Sequence, residues 1–416
     1  MPPLLRKLVD AVPIFDPPPA GSTFRPAVNA RAFVDRHSVF GMKVVLISYH
    51  AAQSQQQAGF HRLSAAYRRL GWEVDFVTAP LSWIHKLRGD RRFSALPSGS
   101  LSGLVSVAPH LRTYALFTLV HPLSDRARLG RGCDALLLGW YARRPLHALG
   151  ESLGCADLII FESSPAIVLA ERVRELAPNA RLIYRVSDDL STLGATKVLL
   201  RRELEIATVF DLVSVPHPAI AERYVRFASV SFHPHGVERE LFSSPSSDPY
   251  VASGDRLHAC YVGASHFDSE ALWAAARSMP QVMFHIIGPP KPAQIPVNAI
   301  YYGTMPFKET IPYITHADVG LFFIRPSLPQ IHTYGLSLKL IQYSYSGLPT
   351  IGPASVRTEL PGYVGYAATD EQSMRFALTS AIESGRRPLG QLEWPSWEDL
   401  ARRLAKGSHG SAAAAA

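Results

Sequence analysis

Residues 337–349 (SLKLIQYSYSGLP) place a cation and an amide on one face of a predicted helix. Gly347 is expected to end this helix, and Pro349 to open a strand. Lys339 and Gln342 are three residues apart, so their side chains lie side by side. A lysine charge at the positive end of a helix attracts phosphate, and an amide donates and accepts hydrogen bonds. The pattern suits a nucleoside diphosphate; a lone lysine on an amphipathic surface helix is the alternative.

Two carboxylates follow buried-type strands earlier in the chain. Asp188 lies in the segment YRVSDDLST, and Glu162 ends the run LIIFE. A carboxylate at the carboxyl end of a strand can act as a general base for an attacking hydroxyl. Glu162 is the rival of Asp188 for this role, and Asp188 or Asp189 could instead cap the next helix. Because no Asp-x-Asp triplet occurs, we expect no metal-bridged diphosphate.

A pair of histidines and the absence of two motifs bear on whether the chain has a metal site, a dinucleotide site or a P-loop. Histidine is a common metal ligand, and His233 and His235 could form a pair of ligands, but no third ligand follows at suitable spacing. A turn with hydrogen-bonded imidazoles is therefore the preferred interpretation. No G-x-G-x-x-G follows the first strand and no P-loop motif occurs, so neither the usual dinucleotide fingerprint nor a P-loop kinase is expected.

Strands and helices alternate along most of the chain. This alternation of short apolar runs with helical patterns predicts parallel sheets covered by helices on both faces. It breaks near residues 236–256, where SSPSSDP has loop composition. The predicted fold class is α/β, with two doubly wound, Rossmann-like domains and a ligand cleft between them. The predicted strands include 43–48, 158–161, 182–186, 212–215, 259–263, 282–288, 299–303, 319–324 and 349–352.

Length and composition exclude several classes of protein. The 416 residues, with 47% hydrophobic and 18% charged side chains, fit two or three globular domains rather than a disordered chain. No apolar run approaches the roughly 18–20 residues of a membrane span. Three widely spaced cysteines exclude a disulfide framework. No secretory signal is recognisable, so a cytoplasmic location is expected.

Most of the net charge of +8 lies in one stretch, because residues 83–144 hold ten basic and three acidic side chains. Apolar residues such as Trp83, Leu87 and Trp140 are interleaved with them. This combination suits an anionic membrane surface, where each cation contributes about 1 kcal/mol. A solvated arginine-rich face is the alternative. Nucleic acid is a further reading of such a stretch, but no nucleic-acid-binding motif accompanies it, so no such partner is expected.

The segment PHGVExxxF and the helix SxKxxQYxxxGLP resemble those of GT-B glycosyltransferases. More narrowly, YRVSDDLST, QVMFHIIG, YGTM and SLKLIQY resemble the GumK family of glucuronosyltransferases, in order along residues 42–400. The segment LEWPSWEDL resembles the C-terminal helix that crosses back to the first domain in GT-B enzymes.

The resemblance implies an inverting, metal-independent glycosyltransferase without a cofactor. Its donor would be a UDP-sugar, best matched by UDP-glucuronate, and its acceptor a polyprenyl-diphosphate-linked oligosaccharide in xanthan-like exopolysaccharide biosynthesis. The enzyme would lie peripherally on the inner face of the cell membrane. One alternative is a retaining GT-B transferase with a neutral UDP- or GDP-sugar, although such enzymes typically carry glutamate where Gln342 stands. The other is a non-catalytic two-lobe sugar-binding protein.

The resemblance also assigns site residues. The family's essential aspartate matches Asp188, its donor-site lysine and glutamine match Lys339 and Gln342, and a donor-site methionine matches Met305. Lys339 would neutralise either the diphosphate or a uronate carboxylate.

Other positions complete the predicted site. Those that depart from the family pattern concern the donor pocket, and they are Thr304, Ser265, Leu338 and Ile324. The candidates on the acceptor side are Glu162, His50 and Arg62.

The expected organisation has five parts. Residues 1–41 form an arm or tail, with Met42 as an alternative start. Residues 42–236 form the acceptor-binding, membrane-facing domain, and residues 237–390 the nucleotide-sugar domain. Residues 391–406 form the returning helix, and residues 407–416 a disordered tail or tag.

Overall fold

The computed structural model of the protein describes residues 41–54, 57–119, 131–251, 254, 256–368 and 370–406. The predictions for residues 1–40 and 407–416 lie outside these ranges.

The first sheet has eight strands in the order β3-β4-β2-β1-β5-β6-β7-β8. Its neighbouring strands run parallel except for the pair β3–β4. The strands are β1 (Lys43–Ser48), β2 (Glu73–Ser82), β3 (Val105–Ala108), β4 (Leu111–Thr118), β5 (Leu158–Glu162), β6 (Arg181–Arg185), β7 (Leu212–Val215) and β8 (Val230–Phe232).

The second sheet has six strands, all parallel, in the order β11-β10-β9-β12-β13-β14. The strands are β9 (Leu257–Val262), β10 (Val282–Ile287), β11 (Ala299–Gly303), β12 (Val319–Leu321), β13 (Thr350–Pro353) and β14 (Tyr363–Tyr366).

The α-helices that join and cover these strands are α1 (Gly59–Arg69), α2 (Trp83–Leu87), α3 (Arg131–Ala142), α4 (Gly150–Gly154), α5 (Ala170–Leu176), α6 (Lys197–Ile206), α7 (Pro218–Ala221), α8 (Arg239–Ser243), α9 (Ser269–Ser278), α10 (Phe307–His316), α11 (Leu338–Tyr345), α12 (Glu371–Ser384) and α13 (Trp397–Lys406). Each sheet buries apolar side chains on both faces, which is the pattern of a doubly wound sheet. The predicted α/β class is confirmed.

The predicted strand at 319–324 is shorter in the structure. Regular pairing ends at Leu321, and the chain continues through Phe322, which donates its backbone N–H to Ile351, to an isolated bridge between Ile324 and Phe267. The apolar character of residues 322–324 therefore reflects burial rather than strand geometry. Helix α11 ends as predicted, with Gly347 in the left-handed region at φ +70°.

The eight-stranded sheet and its helices form the first lobe, and the six-stranded sheet and its helices form the second lobe. The C-terminal helix α13 packs against α1 of the first lobe. Leu400 and Leu404 share an apolar cluster with Phe60 and Leu63. The backbone N–H of Val237 donates to Pro395 where the two inter-lobe segments cross. A Cβ at residue 236 would lie 2.7 Å from backbone atoms of Trp397, so glycine permits this crossing.

The basic stretch does not form one free cationic surface. Arg92 is buried, donates to the backbone carbonyls of Tyr49 and Pro80, and pairs with Asp90. Likewise, Arg112 pairs with Asp75, and Arg144 donates to the carbonyl of Phe117. Arg126 and Arg128 lie outside the described residues, whereas Lys86, Arg88 and Arg91 are exposed. In the described ranges, no helix has the length and apolarity needed to cross a membrane.

Candidate active site

A cleft of about 430 Å³ is lined by residues of both lobes. Its walls are built from the carboxyl ends of strands in the two sheets and from the first turn of α11. The predicted site residues that line it are His50, Arg62, Asp188, Ser265, Thr304, Met305, Ile324, Leu338, Lys339 and Gln342. Glu162 lies in an adjoining cavity of about 220 Å³ that it shares with His50 and Asp188. The structure thus brings the predicted residues together, and their roles remain predictions.

Asp188 follows β6 and is accessible from the cleft. Its backbone N–H donates to the hydroxyl of Ser163, 3.2 Å away, which fixes the turn. Crowding by the cleft walls removes water from the carboxyl and raises the pKa of Asp188 to about 6, and the neighbouring Glu162 carboxylate adds to this rise. A carboxylate in this state suits a general base near neutral pH.

Asp189 has a structural role instead. Its Oδ1 accepts from the backbone N–H of Ser191 at 2.8 Å and from the guanidinium of Arg223 at 2.8 Å. The expectation that one of the two aspartates caps the next helix is wrong, because the hydroxyl of Thr196 caps α6.

Glu162 is buried at the end of β5, next to Asp188 in space. Its Oε2 accepts from the Ser48 hydroxyl at 2.5 Å and from the Tyr49 backbone N–H at 3.1 Å. Its Oε1 lies 4.0 Å from Nε2 of His50. Burial raises the pKa of Glu162 to about 7, against the opposing effect of its two hydrogen bonds.

Lys339 lies in the first turn of α11, as its predicted role requires. Its Nζ sits 3.4 Å from the centre of the Tyr261 ring. Burial lowers the pKa of Lys339 well below its usual range. An anion beside Lys339 would favour the charged form of its amine.

Gln342 and Ser337 lie beside Lys339 in the same wall. Gln342 is buried with 5% of its surface exposed. The hydroxyl of Ser337 is buried and has no hydrogen-bond partner among the described residues. A ligand that enters the cleft would meet this hydroxyl at the N-terminus of α11, where backbone N–H groups also point outward.

Arg62, a predicted acceptor-side residue, contacts the second lobe. Its guanidinium pairs with Glu238, which follows the inter-lobe crossing, and its Cζ lies 4.0 Å from the centre of the Phe307 ring in the second lobe. Sequence reasoning noted the segment PHGVExxxF but gave Glu238 no role, because the partner lies far away in the chain.

The positions that depart from the GumK pattern surround the donor side of the cleft. Thr304 is exposed and approaches the carbonyl of Gly288 at 3.5 Å, and Ser265 is exposed as well. Ile324 is buried, and Met305 and Leu338 are half-buried. This part of the wall is therefore small, apolar or hydroxylic.

Two glycine turns were missed at the sequence level. Gly263 and Gly288 follow β9 and β10 with φ +143° and +108°. A Cβ on Gly288 would lie 2.6 Å from the carbonyl oxygen of Gly263, and a Cβ on Gly263 would lie 3.0 Å from Nζ of Lys339. Two neighbouring strands that each end in glycine were the available signal.

The histidine pair is part of the fold. Nδ1 of His233 lies 3.0 Å from the hydroxyl of Ser214. Burial lowers the pKa of His235 to about 3, so this imidazole is neutral. Within the described ranges, no group of three or more His, Cys, Asp or Glu side chains could hold a metal ion.

Comparison with known proteins identifies a matching family model and a relative of this chain. Residues 46–216 match the model of the family "Glucuronosyltransferase GumK, N-terminal domain". The UDP-glucuronate:glycolipid 2-beta-glucuronosyltransferase of Xanthomonas campestris pv. campestris is 29% identical over 358 residues, which are 85% of this chain and 88% of that protein. The chain is a glycosyltransferase that is similar to GumK over these residues. These matches favour an enzyme over the alternative of a non-catalytic binding protein.

Solved structures support the fold. Sucrose-phosphate synthase from Thermosynechococcus elongatus matches with a TM-score of 0.58 and 17% identity, covering 88% of this chain and 92% of that chain. An alpha,alpha-trehalose-phosphate synthase (UDP-forming) from Burkholderia xenovorans matches with a TM-score of 0.55 and 14% identity, covering 88% and 95%. At this identity the likeness shows the GT-B fold alone, and the predicted GT-B architecture is confirmed.

Proposed function

We propose that the protein transfers glucuronic acid from UDP-glucuronate to a lipid-linked oligosaccharide, with inversion and without a metal ion. The observation that supports this proposal is the shared cleft, which is lined by Asp188 of the first lobe and by Lys339 and Gln342 of the second. The Xanthomonas relative, named for UDP-glucuronate and a glycolipid, supports the choice of donor and acceptor class.

In the proposed reaction, Asp188 removes the proton from an acceptor hydroxyl. The acceptor oxygen attacks the anomeric carbon as the bond from that carbon to the diphosphate breaks, and UDP leaves with the electron pair. Lys339 and the N-terminus of α11 stabilise the negative charge on the leaving group. These groups take the place of a cation, so a chelator is expected to leave the rate unchanged.

The test of the base compares two neighbouring aspartates. Asp188→Asn should lower the transfer rate about 10²–10⁴-fold and leave UDP binding and folding intact. Asp189→Asn makes the same chemical change in a residue that pairs with Arg223. This variant should have a lower melting temperature and a transfer rate close to that of the wild type. Near-normal transfer by a folded Asp188→Asn protein would remove Asp188 as the base.

The donor is tested by thermal shift with UDP, GDP, UDP-glucose and UDP-glucuronate. A ligand that binds the folded state raises the apparent stability, and the tightest ligand raises it most at equal concentration. We expect UDP-glucuronate to exceed UDP-glucose. The reverse order would favour a neutral donor, which the small and apolar residues Ser265, Thr304 and Ile324 could also accommodate.

Attachment to the inner face of the cell membrane belongs to the same proposal. Helix α2 carries exposed Trp83 and Leu87 beside Lys86, and exposed Arg88 and Arg91 follow it. Replacing Arg88 and Arg91 by serine should reduce sedimentation with anionic vesicles at low salt, at about 1 kcal/mol for each cation. Arg92 is not part of this test because it is buried. Unchanged sedimentation would argue against this surface.

A further inference from the structure

Three neighbouring strands end beside the cleft with polar side chains. Strands β1, β5 and β6 are adjacent, with Ile47 opposite Phe161 and Phe161 opposite Tyr184. Ser48 ends β1, Glu162 ends β5, and Asp188 follows β6 after a short turn. The parallel register therefore brings a hydroxyl and two carboxyl groups to one edge of the sheet.

Glu162 anchors the end of β1 and the loop that follows it. One of its oxygens takes two hydrogen bonds from Ser48 and Tyr49, while the other faces His50 at 4.0 Å. No lysine or arginine lies within ion-pair distance of it among the described residues. A buried carboxyl without such a partner is costly to keep charged, and a glutamine could anchor the same backbone at lower cost.

We propose that Glu162 is a positioning residue for the general base, and that its charge makes Asp188 a stronger base while the Ser48 hydroxyl supports that charge. The inference rests on the proposed function, because it assigns Asp188 the proton of the acceptor hydroxyl. Glu162 itself need not touch either substrate.

The groups around the two carboxyls favour this coupling. Asp189, His50, Tyr334 and His235 line the cavity that Asp188 shares with Glu162. Burial, and next the charge of Arg92, lower the pKa of His50. This imidazole is therefore largely neutral near pH 7 and does not cancel the charge of Glu162.

Two interacting carboxyls lose their protons in two steps that belong to the pair. After the first step the pair carries one negative charge, and after the second step it carries two. The second charge makes Asp188 more basic, so the transfer rate should continue to rise with pH beyond the first step.

The test is the pH profile of the transfer rate for two substitutions with opposite expected effects. Glu162→Gln keeps acceptors for the Ser48 and Tyr49 donors but removes the charge. The transfer rate of this variant should then rise with pH in a single ionisation step. The midpoint of this rise should lie about 1 pH unit below that of the wild type, and the maximal rate at high pH should be lower. Ser48→Ala removes a hydrogen bond that favours ionised Glu162, so the upper step should move to higher pH.

The outcomes separate this inference from the proposed function. Full activity of Asp188→Asn would overturn the base assignment on which both depend. Loss of transfer in Asp188→Asn, together with wild-type pH profiles in both Glu162→Gln and Ser48→Ala, would overturn the role of Glu162 alone. If Glu162→Gln fails to fold, the Ser48→Ala profile decides: an upward shift of the upper step supports the proposal, and an unmoved profile refutes it.

Discussion

Removing Arg62 should weaken the junction of the two lobes far more than removing another arginine of the same helix. The Arg62 side chain is 7% exposed and its partner Glu238 is 13% exposed. Arg62→Ala would leave the Glu238 carboxylate buried without its cation, which typically costs about 3–5 kcal/mol. Loss of the contact with Phe307 adds to the destabilisation.

The matched control lies about two turns further along α1. Arg69 pairs with Glu398 of α13, but its side chain is 58% exposed and that of Glu398 is 24% exposed. Exposed pairs contribute about 0–1 kcal/mol, because water screens both charges. Arg69→Ala should therefore change stability little, although it also breaks a contact between α1 and a distant segment.

Urea unfolding, followed by tryptophan fluorescence, measures the difference between these variants. The double variant Arg62→Ala/Glu238→Ala should be more stable than the sum of its single substitutions predicts, since it leaves no buried charge behind. Equal unfolding midpoints for Arg62→Ala and Arg69→Ala would refute the reasoning that burial determines the strength of this junction.

Three further predictions concern the second lobe. Binding of UDP should be coupled to proton uptake by Lys339, because burial lowers the pKa of Lys339 and phosphate favours the charged amine. The affinity for UDP should therefore weaken as the pH rises. Equal calorimetric heats of binding in two buffers of different ionisation enthalpy would contradict this coupling. Gly288→Ala should lower UDP affinity and the melting temperature, because its Cβ would meet the carbonyl of Gly263, whereas Gly71→Ala, with open space around it, should cost only about 1 kcal/mol. Burial lowers the pKa of His285 to about 4, below its value of 6.5 in an unfolded chain, so its contribution to stability is present above pH 6.5 and is lost towards pH 4; thermal melts of His285→Asn should show a weaker acid dependence than those of the wild type.

Local patterns were sufficient to predict the α/β class and its strands, whereas most candidate site residues came from the resemblance to a known family. Buried strands have apolar runs, and Gly347 marks the end of α11, so both features could be read from neighbouring residues. The choice of Asp188 over Asp189 rested on a resemblance, and the structure adds a physical reason. Asp189 is held by Ser191 and Arg223, whereas Asp188 remains accessible from the cleft.

Long-range partners could not be predicted. The pairing of Arg62 with Glu238 joins residues 176 positions apart, and the hydrogen bond from Ser48 to Glu162 spans 114 positions. Burial also changes chemistry that residue type alone suggests, as the lowered pKa of Lys339 and the inward bonds of Arg92 demonstrate. These properties depend on which elements pack together, and the sequence pattern of each element does not contain that information.

The anomeric configuration of the product distinguishes a single displacement from a reaction that retains the configuration of the donor. In the proposed reaction the base and the acceptor lie in one lobe and the donor in the other, so that the acceptor oxygen attacks opposite the departing UDP. Proton NMR of the product formed from UDP-α-glucuronate should show a β-linked glucuronic acid. An α-linked product would contradict a single displacement with Asp188 as its base.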